Sequence, residues 1–120
     1  MAKVMVVDDA YSELKLMELI LCGAGHEVVM LIDGDALEDQ VTRERPDVLL
    51  LDIVMPKRNG YELLRSLKRN AQTRTTPVVL VSSKNQASDR AWGRRQGADD
   101  YLGKPFTSDQ LLGMVERFVH

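Results

Sequence analysis

This sequence predicts one α/β domain: a doubly wound (βα)5 fold, a five-stranded parallel sheet with helices on both faces. Two observations lead there. Short apolar runs alternate five times with segments of helical periodicity. The runs Val4–Val7, Val48–Leu51 and Val78–Val81 are apolar at every position rather than every second one, the pattern of parallel strands covered on both faces.

Each element has its own signal. Val4–Val7 is the first strand and stops at Asp8-Asp9. Leu14, Met17, Leu21 and Ala24 recur at steps of three and four, a helical stripe that Gly23 or Gly25 can stop. Val28–Ile32 is the second strand, and Leu37 with Val41 marks the second helix. Pro46-Asp47 leads into the third strand. Asn59 with Glu62 three residues on is an N-cap and its partner, opening a helix through Leu63, Leu64 and Leu67. Pro77 introduces the fourth strand. The segment Ala87–Gln96 is helical in composition but poor in apolar residues, with Ala87, Ala91 and Trp92 as those available to face inward; it is the helix expected to be least anchored. Tyr101-Leu102 forms a short fifth strand after Gly97-Ala98-Asp99-Asp100. Thr107 with Gln110 has capping-box spacing before Leu111, Val115 and Phe118. No repeat, low-complexity stretch or linker interrupts the pattern, so residues 1–120 are expected to form a single domain with no output domain.

Composition excludes several classes. With 120 residues, 44% hydrophobic and 28% charged, the chain is neither disordered, nor collagen-like, nor a disulfide-rich mini-protein. Sixteen Lys+Arg against eighteen Asp+Glu give a net charge of −2. That balance lacks the positive excess of a dedicated nucleic-acid or anionic-membrane binder. One cysteine, Cys22, cannot form an internal disulfide and is expected to be a buried, inert thiol. The N-terminal apolar run is too short for a signal peptide, and no stretch approaches the roughly 18 apolar residues of a membrane span. A cytoplasmic monomer without membrane insertion is expected.

In an open parallel sheet, ligands bind beyond the carboxyl ends of the strands. There stand Asp8-Asp9 after strand 1, Asp52 after strand 3, Ser82-Ser83 after strand 4 and Lys104-Pro105 after strand 5. Any one of these is an ordinary turn or cap residue. All of them on one edge form a constellation. Three clustered carboxylates repel unless a cation sits among them, and a hard dication with oxygen ligands such as Mg2+ suits the set. No His or Cys cluster competes: His26 and His120 have no partner at metal-binding spacing.

Val6-Val7-Asp8-Asp9, Leu50-Leu51-Asp52-Ile53-Val54-Met55-Pro56, Asn59-Gly60, Val81-Ser82-Ser83 and Gly97-Ala98-Asp99-Asp100-Tyr101-Leu102-Gly103-Lys104-Pro105-Phe106 together resemble a CheY-like response-regulator receiver domain. The resemblance spans the whole chain. It implies a flavodoxin-like fold with sheet order 2-1-3-4-5. Lys84-Asn85-Gln86, Asp89, Trp92-Gly93 and Arg95-Gln96-Gly97-Ala98 are similar to the narrower group of stand-alone regulators of type IV pilus twitching motility (PilH-like).

The resemblance implies roles residue by residue. Asp52 matches the phosphoryl acceptor, a carboxylate nucleophile. Asp9 and Asp52 match direct Mg2+ ligands, Asp8 a ligand through water, and Val54 a ligand through its backbone carbonyl. Lys104 matches the cation that pairs with a phosphoryl oxygen, and the Lys104-Pro105 bond is expected to be cis. Ser82 would donate its hydroxyl to the phosphoryl group, and Tyr101 would turn inward behind it, repacking the face formed by helix 4, strand 5 and helix 5. Val54 and Lys84 flank the site where the family tunes phosphoryl lifetime. Neither can orient a hydrolytic water, so slow to moderate self-dephosphorylation is expected. The implied partners are a histidine kinase or phosphotransfer domain and a downstream target protein, with no direct nucleic-acid contact.

Rival chemistries fail on single residues. A haloacid-dehalogenase-type phosphatase needs an acid two residues after its nucleophile, where Val54 stands. A P-loop needs four residues between its glycines, but five separate Gly97 from Gly103, and Pro105 follows Lys104. Asp8-Asp9 occupies the turn where a dinucleotide fold needs glycines, and no hydroxyl-rich flavodoxin phosphate loop stands there. A phosphorylation-independent protein–protein adaptor and a phosphate sink remain open alternatives. The basic pairs Lys57-Arg58, Lys68-Arg69 and Arg94-Arg95 read as solvated, with Arg94 and Arg95 placed on the output helix to steer an acidic partner. Trp92 is either a contact on that face or a packing residue, and packing is the expectation because helix 4 has few other apolar residues.

Overall fold

The computed structural model describes residues 1–55 and 57–119; Pro56 and His120 lie outside the described residues. Five strands and five helices alternate: β1 (Lys3–Val7), α1 (Tyr11–Gly23), β2 (Glu27–Leu31), α2 (Leu37–Glu44), β3 (Val48–Asp52), α3 (Gly60–Arg69), β4 (Val78–Ser82), α4 (Ala87–Arg95), β5 (Asp100–Gly103) and α5 (Ser108–Glu116). All strand pairings are parallel and the order is β2-β1-β3-β4-β5. This is the expected doubly wound flavodoxin-like sheet.

The continuous apolar runs are buried for the reason their pattern implied. Every residue of β3 and β4 is buried, and successive side chains enter opposite layers. Met5, Val7, Leu49, Leu51, Val78 and Leu80 meet α2 and α3 through Leu37, Val41, Leu63, Leu64 and Leu67. Val4, Val6, Val48, Leu50, Val79 and Val81 meet α1 and α5 through Leu14, Met17, Leu21, Leu111 and Val115. Both anticipated capping signals form: Asn59 Oδ1 accepts from the Glu62 N–H at 3.0 Å, and Thr107 and Gln110 close a capping box.

Four sequence expectations are corrected. Cys22 is exposed, because the inward stripe of α1 is Leu14, Met17 and Leu21, and the next residue turns about 100° away. Ala24 is exposed at the end of that helix. Ile32 lies beyond β2 and is exposed, since β1 ends at Val7 opposite Leu31 and offers it no partner. Within α4 the buried residue is Gly93, not Ala87, Ala91 or Trp92. A Cβ at Gly93 would stand 2.9 Å from Leu80 Cδ1, so that helix sits on the sheet by backbone approach rather than by a side-chain stripe. His26 is buried and structural: its Nδ1 accepts the Ala2 N–H at 3.0 Å.

Two of the basic pairs are less solvated than expected. Lys68 Nζ donates to the carbonyl of Thr76 at 2.9 Å and to Asp99 at 3.0 Å. Arg58 Nη2 donates to Glu38 Oε2 at 2.9 Å, and the Ser66 hydroxyl donates to the same oxygen, tying α2 to α3 and the β3–α3 loop. The Arg58 hydrogen bond, joined by Ser66, outweighs burial and holds the Glu38 carboxyl at about 2. A depressed folded pKa contributes stability above the ordinary value of 4.5 that is lost as pH falls from there toward 2. Glu38→Gln is therefore expected to cost about 1–2 kcal/mol at neutral pH, allowing for partial exposure. The difference from wild type in urea midpoints should vanish as pH approaches the depressed value.

Candidate functional site

Strand register brings the polar residues together. Val7 pairs with Leu51 and Asp52 with Val81, so Asp8 and Asp52 stand side by side at the carboxyl edge of adjacent strands. Ser82 pairs with Gly103, placing Ser82 and Lys104 on the same edge. One carboxylate oxygen from each of Asp8, Asp9 and Asp52 lies within 4.8 Å of the others. Asp8 and Asp52 are buried and Asp9 is exposed at the mouth.

Lys104 enters this acidic cleft. Its ammonium donates to Asp8 Oδ2 at 2.9 Å and lies 3.7 Å from Asp52 Oδ1. Burial alone would pull Lys104 down, but the hydrogen bond to Asp8 and the charges of Asp52 and Asp8 outweigh it and raise its pKa. Asp8 is held by a second donor, the Ala10 N–H at 2.9 Å from Oδ1. Burial, then the neighbouring Asp8, push Asp52 up to about 6, against the pull of Lys104. The cleft thus holds more negative charge than Lys104 neutralises, and all of its anionic donors are oxygens. That set fits a hard dication.

The β3–α3 loop shapes one wall. The Gly60 N–H, the first of α3, donates to the Ile53 carbonyl at 2.7 Å, folding α3 directly against the end of β3. Val54 is 59% exposed and Lys84 is exposed. The Lys104-Pro105 peptide is cis.

Residues 4–116 match the response regulator receiver domain family. The chain is a response regulator receiver domain. Protein PilH of Pseudomonas aeruginosa is 41% identical to it over 115 residues, spanning 96% of this chain and 95% of that protein. The Vibrio cholerae chemotaxis protein CheY4 has the same fold, with a TM-score of 0.90 at 30% identity and 99% of each chain covered. The receiver domain of the sensor histidine kinase PA1611 from P. aeruginosa, whose structure has a magnesium ion coordinated in its active site cleft, matches with a TM-score of 0.88 at 26% identity, over 98% of this chain and 96% of that one.

The receiver's other anticipated residues fall into two groups. Ser82 and Tyr101 are linked through one backbone unit: the Lys84 N–H donates to Ser82 Oγ at 3.0 Å, and the Tyr101 hydroxyl donates to the Lys84 carbonyl. Tyr101 is buried, with its ring turned into the protein. Trp92 overturns the packing expectation. It is 46% exposed, and its ring meets Tyr61 of α3 edge-on at 6.4 Å. It therefore lies on the α3 flank of α4, whereas Arg90 faces β5. Arg94 and Arg95 are exposed as anticipated.

Two residues of consequence escaped the sequence reading. Gly60 stands in the Asn59-Gly60 motif, but its close approach to β3 has no signature in a single sequence. Arg90 belongs to no motif, and its place over Tyr101 arises only when α4 packs against β5.

Proposed function

We propose that this receiver accepts a phosphoryl group on Asp52 from the phosphohistidine of a histidine kinase or phosphotransfer domain. In that transfer the P–N bond breaks as the Asp52 carboxylate oxygen forms the new O–P bond. Asp9, Asp52 and the Val54 carbonyl would hold Mg2+ directly, and Asp8 would do so through water. When bound, the ion offsets charge on the transferring group and orients it. Lys104 supplies a second, protein-borne cation, and Ser82 supplies a hydroxyl donor. Tyr101 couples the site to the α4–β5–α5 face, which then binds a downstream protein. Likeness to PilH and CheY4 favours a role in motility or taxis signalling, in the cytoplasm.

The observation that carries this reading is the pairing of a buried Asp52, raised to about 6 among two other carboxylates, with an ammonium 3.7 Å away. Three carboxylates beside one ammonium leave an excess of negative charge that a dication would offset. Slow loss of the phosphoryl group is consistent with an apolar Val54 and a cationic Lys84 at the rim.

The test is intact-mass analysis after incubation with acetyl phosphate. Wild type with Mg2+ is expected to gain one phosphoryl group. Chelation of Mg2+ or Asp52→Asn should each abolish the gain. A folded wild type that gains nothing under rapid trapping would reject the reading. A phosphorylation-independent adaptor is the second reading, because Tyr101 is already seated inward by contacts with Lys84 and α4. An adaptor would bind its target equally well with Asp52→Asn. A phosphate sink would take up the phosphoryl group without gaining affinity for any target.

A further inference from the structure

Tyr101 is 2% exposed, and three groups hold it there. Its hydroxyl donates to the Lys84 carbonyl in the β4–α4 loop. Gly93 of α4 leaves room for the ring; a Cβ there would stand 3.3 Å from Tyr101 Cδ2. The third group is Arg90, one turn earlier in the same helix. Its guanidinium carbon lies 5.3 Å from the centre of the Tyr101 ring. Nη1 donates to the carbonyl of Tyr101 itself at 3.2 Å, and Nε lies 3.4 Å from the carbonyl of Asn85. One side chain thus joins the ring, the β5 backbone and the β4–α4 loop.

We propose that Arg90 is a positioning residue that latches Tyr101 inward and so presets the α4–β5–α5 face. The proposal rests on the reading of Tyr101 as the coupling aromatic. A guanidinium over a tyrosine face is attracted by the ring quadrupole, more strongly when the ring is desolvated, as this one is. The carbonyl contacts hold the guanidinium where that attraction acts. For Tyr101 to swing outward, the ring must leave the cation and the hydroxyl must leave the Lys84 carbonyl. None of the three groups holding Tyr101 is a carboxylate of the acidic cleft, so the latch biases the equilibrium independently of the charge there. Leu80 of β4 and Tyr61 of α3 pack against α4 without charge, and the α3 cation beside that helix, Arg65, is engaged at its far end, where Nη1 donates to Gln96 Oε1 at 3.0 Å.

The experiment uses the full chain labelled with meta-fluorotyrosine and read by fluorine NMR with a soluble paramagnet. Tyr101→Phe assigns the Tyr101 line by its loss. Wild type is expected to show a Tyr101 line protected from the paramagnet. In Arg90→Ala the outward population should rise about tenfold, seen as new broadening of that line alone. Arg90→Gln, which keeps a donor for the carbonyls but no charge, should also broaden it, and Arg90→Lys should recover part of the protection. Unchanged Tyr11 and Tyr61 lines report an intact fold. A Tyr101 line as protected in Arg90→Ala and Arg90→Gln as in wild type would overturn the latch. The acetyl phosphate adduct, measured on the same samples, separates the two readings. Its absence from wild type speaks against phosphoryl acceptance and leaves the ring measurement standing. Its presence in Arg90→Ala, with the Tyr101 line still protected, speaks against the latch alone.

Discussion

Asp52→Asn is expected to stabilise the fold by about 2–3 kcal/mol at neutral pH when divalent cations are chelated. The carboxyl sits at about 6 in the folded protein against an ordinary 3.8. Between those values the folded state keeps a proton that the unfolded chain has released. Wild-type stability therefore falls as pH rises through that window, and above it the full penalty of an ionised Asp52 among Asp8 and Asp9 is present. An amide escapes the penalty. Urea unfolding from acid to neutral pH should show the variant drawing ahead from about pH 4 and levelling off above about pH 6. Added Mg2+ should narrow the gap, because a cation that binds the folded carboxylates stabilises wild type more than the variant. Parallel curves at every pH would show that Lys104 already neutralises the repulsion.

Gly60→Ala is expected to cost about 3 kcal/mol, at the upper end for overpacking. A Cβ at this position would stand 2.7 Å from Ile53 Cα and closer still to the Asp52 carbonyl oxygen. Both obstacles are backbone at the end of a central strand, so no side-chain rotation can relieve them. The gain of up to about 1 kcal/mol that alanine brings to a helix cannot offset the clash. Because the strain falls on Asp52 and the loop after it, the yield of phosphoryl adduct should drop by more than the loss of folded protein explains. Urea midpoints and adduct yield on the folded fraction measure the two effects separately. A variant within about 0.5 kcal/mol of wild type would show that α3 can draw back from β3 at no cost.

The parts of this receiver that were legible in its sequence have local causes. The runs Val48–Leu51 and Val78–Val81 announced strands covered on both sides because burial on two faces demands apolar side chains at every position. Asn59 and Thr107 announced helix starts because a cap needs its acceptor three residues from the donor it serves. Asp8, Asp9, Asp52, Ser82 and Lys104 could be placed on one edge because parallel strands align their carboxyl ends whatever the sheet order.

Relations between elements carried no such signal. Cys22 and Trp92 are apolar by type, and only the rotation of α1 and α4 against the sheet turns them outward. Lys104 could be assigned to the acidic edge, yet its hydrogen bond to Asp8 rather than Asp52 depends on how the β5–α5 loop delivers the ammonium. The pKa of Asp52 follows from burial and from carboxylates on another strand, neither a property of its neighbours in sequence. Strand and helix order, the two apolar layers and the set of charged groups at one edge follow from residue order, because periodicity and capping act within a few residues. Which charges touch, how closely Gly60 approaches Asp52 and that Arg90 covers Tyr101 depend on packing, because those distances arise only when separate elements meet.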